Sequence, residues 1–194
     1  MGCGSVWSIA ALMAVFAVAT APSLAAADES VALRISVHVM ADIDVAPGVL
    51  RQAKQEAARI YEKLAIELLW VDDIASAAIT TRIVRQPIKG AGGSAMGVAP
   101  RTSKGAGTLL FAFYGHIETY ARQHDKPVAQ ILGHVIAHEL GHLLLPHGSH
   151  SKTGIMVAQW DRAQVEQIGR GWLSFTEEQT ADIRRKAGML ETVR

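Results

Sequence analysis

The sequence predicts a single α+β domain, in which a small mixed sheet combines with a few helices. Four short, largely apolar segments have the length of strands, and the first of them is rich in β-branched residues with alternating polar positions. Two longer segments carry apolar residues every three or four positions, as one face of an α-helix does. The chain contains no internal repeat and no second domain boundary, so one domain is expected to follow the N-terminal segment.

The four predicted strands are residues 31–39, 66–71, 78–84 and 108–114. Between the last two lies the glycine-rich segment 90–107, which holds six of the 17 glycines. Its composition fits a solvated flexible loop and an active-site loop equally well.

Three helices are expected before the C-terminal helix. One begins at Pro47, a residue suited to a first helical turn, and runs to about residue 64. A short one is predicted over residues 117–123. A long helix then begins at Pro127 and ends before Pro146, because the residue preceding a proline is disfavoured in the helical region.

A C-terminal helix is predicted from a capping box at residues 176–179, with Thr176 as N-cap and Gln179 bonding back. This helix is expected to reach about Lys186, and Gly188 could stop it.

The N-terminus resembles a secretory signal peptide. The first charged side chain is Asp28, an apolar run covers residues 6–20, and small residues at 25–27 suit cleavage. Cleavage near Ala27 leaves residues 28–194 as the mature domain, in a secreted or periplasmic protein. The alternative is an uncleaved membrane anchor, but the run is shorter than the roughly 20 residues that a bilayer span needs.

Charge and cysteine content narrow the classes of function further. The 19 basic and 18 acidic residues nearly cancel, which argues against a nucleic-acid surface and, after signal cleavage, a membrane surface. The one cysteine, Cys3, lies inside the predicted signal peptide. Any metal site in the mature chain must therefore use histidine and carboxylate ligands.

Residues 138–142 read His-Glu-Leu-Gly-His, the H-E-x-x-H pattern, on the predicted long helix. A spacing of four places His138 and His142 on one helical face, where both can bind one Zn²⁺. Glu139 follows the first ligand and can take a proton from a water molecule on the metal. The motif therefore predicts two metal ligands and one general base.

The stretch from His138 to Met156 resembles the zincin metallopeptidases, and within them the metzincins. The resemblance implies a third histidine ligand after the helix and a methionine turn beneath the metal, here "GIM" ending at Met156. It also implies a domain of strands, one helix and an edge strand before the active-site helix.

The third ligand is the point at which the sequence departs from the metzincin pattern. The family has glycine where this chain has Leu145, and its third histidine where this chain has Gly148. The candidates are His147 and His150. We favour His150, because the longer arm after the helix leaves more chain in which to turn back to the metal.

These features predict an exported zinc metallopeptidase that acts on a peptide or protein substrate, with Glu139 as base and strand 108–114 as the edge that pairs with substrate. One alternative is a gluzincin-type peptidase with Glu166 as third ligand. Another is a non-catalytic zinc-binding protein whose site is closed by both His147 and His150.

The remaining candidates carry weaker signals. His134 is expected on the surface or behind the metal ligands rather than among them. Three aromatic residues are expected in the core beneath the C-terminal helix: Trp160, Trp172 and Phe175. Three residues are conceivable oxyanion stabilisers, although no pattern selects among them: Tyr114, His116 and Tyr120.

Overall fold

Most of the sheet is built from the four segments that the sequence predicts as strands. The computed structural model describes residues 1–2, 33–102, 105–146 and 149–192. The predicted cleavage site near Ala27 and the candidate ligand His147 therefore lie outside the described residues. Within these ranges, no helix has the length and hydropathy that a transmembrane span requires.

The main sheet has five strands, and a two-stranded hairpin accompanies it. The strands are β1 (Leu33–Ala41), β2 (Ile66–Val71), β3 (Ile79–Val84), β4 (Gly97–Val98), β5 (Arg101–Thr102), β6 (Gly105–Ala106) and β7 (Leu109–Phe113). The order in the main sheet is β2-β1-β3-β7-β4, with β4 antiparallel to β7 and the other pairs parallel. The predicted mixed sheet is confirmed.

The assignment of the edge strand was wrong. Residues 108–114 form β7, which lies between β3 and β4, and the outer strand on that side is β4 from the glycine-rich segment. Leu110 to Phe113 are all buried, as expected of an interior strand covered on both faces. A two-residue strand that contains glycine gives no side-chain pattern by which sequence could identify it.

Five helices and one 3₁₀ turn complete the described chain. They are α1 (Pro47–Glu62), the 3₁₀ turn (Ile74–Ser76), α2 (Tyr114–Gln123), α3 (Val128–Leu144), α4 (Arg162–Arg170) and α5 (Glu177–Thr192). The predicted α+β class, with a long motif-bearing helix and a C-terminal helix, is confirmed.

The C-terminal helix begins as predicted and ends later. The Thr176 amide donates to Gln179 Oε1 at 3.0 Å, and the Gln179 amide donates to Thr176 Oγ1 at 3.3 Å. The expected stop at Gly188 was wrong, since α5 continues to Thr192. A glycine stop needs a left-handed residue, which Gly171 supplies after α4 with φ of +70° and Gly188 does not.

Close packing against α1 fixes the position of α3. A β-carbon on Gly133 would lie 2.6 Å from Glu56 Cβ and 2.7 Å from the Ala53 carbonyl oxygen, so the two helices touch at their backbones. One turn further on, the buried Tyr61 hydroxyl donates to the Ala137 carbonyl oxygen at 3.2 Å. These contacts hold the middle of α3, immediately before His138, on a rigid support.

Two of the three aromatic residues predicted for the core are buried. Trp160 and Phe175 are each 9% exposed, whereas Trp172 is 65% exposed, so its predicted burial was wrong. The Trp172 ring lies 5.0 Å from the Arg170 guanidinium instead. Trp172 directly follows the left-handed Gly171, in a segment without the periodicity that would assign a face.

Candidate metal centre

Helix α3 presents two imidazoles side by side. His138 and His142 are one turn apart, and their Nε2 atoms lie 3.0 Å from each other. Two nitrogens bound to one metal at about 2.0–2.1 Å in a tetrahedral site would be about 3.3 Å apart. The helix therefore offers two ligand atoms at nearly the spacing of a shared ion.

The third histidine of the group is His150, from the segment after the helix. Its ring centroid lies 4.7 Å from that of His142 and 5.6 Å from that of His138. One ligand nitrogen from each of the three residues lies within 4.8 Å of the other two. The structure thus brings together the three residues predicted as ligands, and this group could hold a metal ion.

Hydrogen bonding prepares His138 to bind a metal. Its Nδ1 lies 2.7 Å from the Ile155 carbonyl oxygen, and a carbonyl only accepts, so the proton is on Nδ1 and the lone pair is on Nε2, the atom that faces His142. Burial lowers the pKa of His138 to about 4, so the imidazole is neutral at pH 7, as a ligand must be. The donor set therefore fits a metal ion that prefers nitrogen.

The other histidine of the helical pair has a hydroxyl partner. His142 Nδ1 lies 2.7 Å from Ser149 Oγ, directly before His150 in the chain. On the far side of His150, the Ser151 amide donates to the Met156 carbonyl oxygen at 2.9 Å. The third histidine is therefore held between two fixed neighbours.

Met156 lies beneath the helix, as the resemblance to a methionine turn implies. It is fully buried, and a β-carbon on Gly141 would lie 2.7 Å from its sulfur atom. The turn before it is pinned where the Ile155 amide donates to the Ser174 carbonyl oxygen at 2.8 Å. The glycine within the H-E-x-x-H motif is thus required by packing against the methionine.

Glu139 lies beside the ligand group with one oxygen unpaired. It is 5% exposed, and its Oε2 is buried and has no hydrogen-bond partner among the described residues. Burial raises the pKa of Glu139 to about 8, although a hydrogen bond from the Ala99 amide acts in the opposite direction. A buried acceptor without a partner is costly, which favours contact with a water molecule or a ligand at this atom.

A cleft of about 630 Å³ joins these groups. The three histidines and Glu139 lie on it, and residues from the glycine-rich segment form one wall, including Met96, Gly97 and Ala99. Part of that segment thus lines the same cleft as the three histidines. The described lining residues include no aspartate, lysine or arginine.

The structure separates two other candidates from the ligand group. Glu166 is exposed on α4, where it accepts a hydrogen bond from Arg162 at 3.3 Å, and it is not part of the histidine group. The gluzincin-type arrangement was therefore wrong. His134 is fully buried behind the site rather than at the surface, and its Nδ1 lies 2.9 Å from the Gln130 carbonyl oxygen.

Of the three conceivable oxyanion residues, only Tyr120 lies on the cleft. Its hydroxyl donates to the Trp160 carbonyl oxygen at 2.9 Å, and burial raises its pKa to about 12. His116 bonds instead to the Ala95 carbonyl oxygen at 2.7 Å. In this conformation the Tyr120 hydroxyl is therefore bonded to the backbone and not directed at a substrate position.

Sequence reasoning missed the partners that orient the site. The Ile155 carbonyl, the Ala99 amide and the backbone at Gly97 all act through main-chain atoms, which carry no side-chain signature. The glycine content of residues 90–107 was the one feature of the sequence that indicated a close approach of the backbone to another element. It could not indicate which residue that backbone would contact.

Comparison with protein-family models gives no match to this chain, and comparison with curated proteins gives no significant match. The class of protein is therefore defined by the structure itself, as an α+β domain with a three-histidine group able to bind a metal ion.

Proposed function

We propose that the protein is an exported zinc-dependent metallopeptidase of metzincin-like type. The observation that carries this proposal is the buried, unpaired Oε2 of Glu139, a residue that lines the same cleft as the three histidines. A purely structural metal site needs only its ligands, and an unpaired buried carboxyl group beside it would not stabilise the metal. The resemblance of residues 138–156 to the metzincin motif supports the same assignment.

Zinc is the metal that best suits the ligand set. Imidazole nitrogen suits zinc among several transition metals, and three protein ligands with an open fourth position are typical of catalytic zinc sites. His138, His142 and His150 would hold the ion. A bound zinc ion lowers the pKa of its water to about 7 and polarises a substrate carbonyl.

Glu139 would move the proton in peptide hydrolysis. Its carboxylate takes a proton from the attacking water as a new C–O bond forms, and gives it to the amine nitrogen as the C–N bond breaks. The amide of Ala99 donates to this carboxyl group and so limits its rotation. Burial raises the pKa of this carboxyl group to about 8 in the metal-free chain, and a cation held by the histidines would lower it again, so that the group can begin as a carboxylate.

The substrate would lie along β4, since β7 is enclosed by its neighbours. Strand β4 pairs with β7 on one side, and Gly97 and Val98 both line the cleft. An extended peptide can add to such an edge by main-chain hydrogen bonds. Because the described cleft walls contain Met96, Val135 and Val157 and no lysine or arginine, we expect apolar side chains next to the cleaved bond.

The test combines zinc content with turnover of a peptide library rich in apolar residues. Glu139→Gln should keep one zinc per chain and lose about 10²–10⁴ in rate, because it removes the base and leaves the ligands. Glu166→Gln, which changes an exposed carboxylate, should behave as the parent protein. Hydrolysis by the Glu139 variant at the parental rate would contradict the mechanism.

The alternative without catalysis has a distinct signature. If the parent protein binds one tight zinc and hydrolyses no peptide, and loses zinc equally in His147→Ala and His150→Ala, the closed four-histidine site is supported. Export is tested separately by N-terminal sequencing of protein recovered outside the cytoplasm. A start near residue 28 supports cleavage, and a start at Met1 contradicts it.

A further inference from the structure

Two donors share one main-chain oxygen behind the ligand group. The Ile155 carbonyl oxygen accepts from His138 Nδ1 at 2.7 Å and from Trp160 Nε1 at 3.0 Å. A carbonyl oxygen has two lone pairs, and an indole nitrogen can only donate. Both acceptor positions of this oxygen are therefore used, one by a predicted metal ligand and one by Trp160.

Trp160 is itself fixed from several directions. Its own carbonyl oxygen accepts from the Tyr120 hydroxyl at 2.9 Å, which ties it to α2. Its ring meets the His138 ring edge-on, with centroids 5.8 Å apart and planes at 77°. The His134 ring meets it in the same manner at 6.2 Å and 86°. The indole N–H is therefore aimed by packing and not by the hydrogen bond alone.

We propose that Trp160 is a positioning residue for His138 and acts through the Ile155 carbonyl. The inference rests on metal binding by the three histidines, as proposed above. The direction of this carbonyl sets the rotation of the His138 ring and so the direction of its Nε2 lone pair. With the Ile155 amide bonded to Ser174 and its oxygen bonded to Trp160, the peptide plane cannot turn freely.

The strength of the effect follows from the broad geometry of carbonyl acceptors. A carbonyl accepts over a wide range of angles, so without the indole His138 keeps its bond while the Ile155 oxygen gains freedom. Zinc affinity then falls because Nε2 is no longer held in the direction of the metal, although His138 remains a ligand. Changing groups that orient metal ligands typically costs 10–100-fold in affinity, and we expect about tenfold here, since Trp160 acts through one intervening group.

The experiment measures zinc affinity by chelator competition, and cobalt binding by the visible d–d spectrum, in three variants of the full chain. Trp160→Phe removes the N–H donor and replaces the indole by a smaller ring. Replacement of Trp160 by benzothienylalanine removes the donor and keeps the shape of the ring. Trp172→Phe changes an exposed tryptophan away from the cleft and serves as the matched control.

We expect both Trp160 variants to bind zinc about tenfold more weakly and to show an altered cobalt spectrum. Trp172→Phe should keep the parental affinity and spectrum. Parental affinity and spectrum in the benzothienylalanine protein would overturn it, even if Trp160→Phe is weaker, because ring packing would then be the cause. Failure of the parent protein to bind zinc would instead overturn the proposed function. The isosteric variant decides the matter if Trp160→Phe does not fold.

Discussion

Gly97 on β4 is packed directly against Glu139 on α3. A β-carbon at position 97 would lie 2.7 Å from both Cγ and Oε1 of Glu139, and 2.8 Å from the Phe111 carbonyl oxygen. The absence of a side chain therefore allows the outer strand to cover the carboxyl group. The strand proposed to bind substrate and the residue proposed to act as base are parts of one contact.

Gly97→Ala should therefore impair catalysis without removing the metal. The added methyl group must displace either β4 or the Glu139 carboxyl, and a misplacement near 1 Å can cost about 10²-fold in rate. Zinc content should stay at the parental value, because the three atoms nearest to the new methyl group belong to Glu139 and Phe111 and not to a histidine. Peptide turnover and zinc content, measured on the same preparation, check this expectation.

Gly93→Ala provides the control, since a β-carbon there meets nothing within 4 Å. It lies in the same glycine-rich segment and should keep parental turnover. Equal activity in the Gly97 and Gly93 variants would show that β4 does not position the base.

The sequence predicted the parts of this site that depend on side-chain type and spacing. His138 and His142 are four residues apart on a helix bounded by Pro127 and Pro146, so their common face follows from helical geometry. His150 was favoured over His147 by the length of chain available, and the structure places it beside the other two.

The parts that were missed depend on long-range main-chain contacts. Gly97 pairs with Ala112 and touches Glu139, and nothing in the local sequence names either partner. Trp172 was expected to be buried because of its residue type, yet a single left-handed residue before it sends the ring outward. Local patterns define elements and faces, whereas the register between distant elements is set by packing.

His134 should make the protein less stable in mild acid. Burial lowers its pKa to about 4 from an ordinary value of 6.5, against smaller opposing effects of Gln130 and Glu56. Between these values the unfolded chain binds a proton that the folded chain does not, so the free energy of unfolding falls as pH falls from about 6.5 to 4. Above about pH 6.5 His134 is neutral in the folded and the unfolded chain and does not reduce the free energy of unfolding. By pH 4 its protonation in the unfolded chain should have reduced that free energy by on the order of 3 kcal/mol.

The measurement is urea unfolding of metal-free protein between pH 4 and 7. His134→Gln keeps a donor for the Gln130 carbonyl and does not titrate, so its slope against pH should be smaller than that of the parent by up to about 1.4 kcal/mol per pH unit. The difference between the two proteins isolates His134 from His138, which titrates in both. Parallel curves would contradict the prediction.

Two helical glycines should respond to alanine with opposite signs. In Gly141→Ala the new methyl group would lie 2.7 Å from Met156 Sδ and 2.8 Å from Phe175 Cε1, and overpacking of this kind costs about 1–3 kcal/mol. In Gly188→Ala the nearest atom is Leu33 Cδ2 at 3.8 Å, so the better helix former should stabilise by up to about 1 kcal/mol.

Thermal unfolding of metal-free protein measures both changes. A Gly141→Ala protein as stable as the parent would mean that Met156 can move away from the helix, and that the methionine turn is not rigid. Zinc content of the same variant then tests whether the turn supports the ligands.

The identity of the third ligand is decided by comparing four alanine variants. His138→Ala and His142→Ala should each abolish stoichiometric zinc, because these residues supply the two nitrogens held 3.0 Å apart on the helix. His150→Ala should weaken zinc strongly, since its neighbours Ser149 and Ser151 are both anchored, one to His142 and one to the turn at Met156. His147→Ala should change zinc affinity little, because five residues after His142, part of them helical, leave little chain for a return to the metal.

Zinc content by elemental analysis, with affinity from chelator competition, ranks the four variants by how much zinc binding each has lost. A His150 variant that keeps one tight zinc, beside a His147 variant that has lost it, would reverse the assignment.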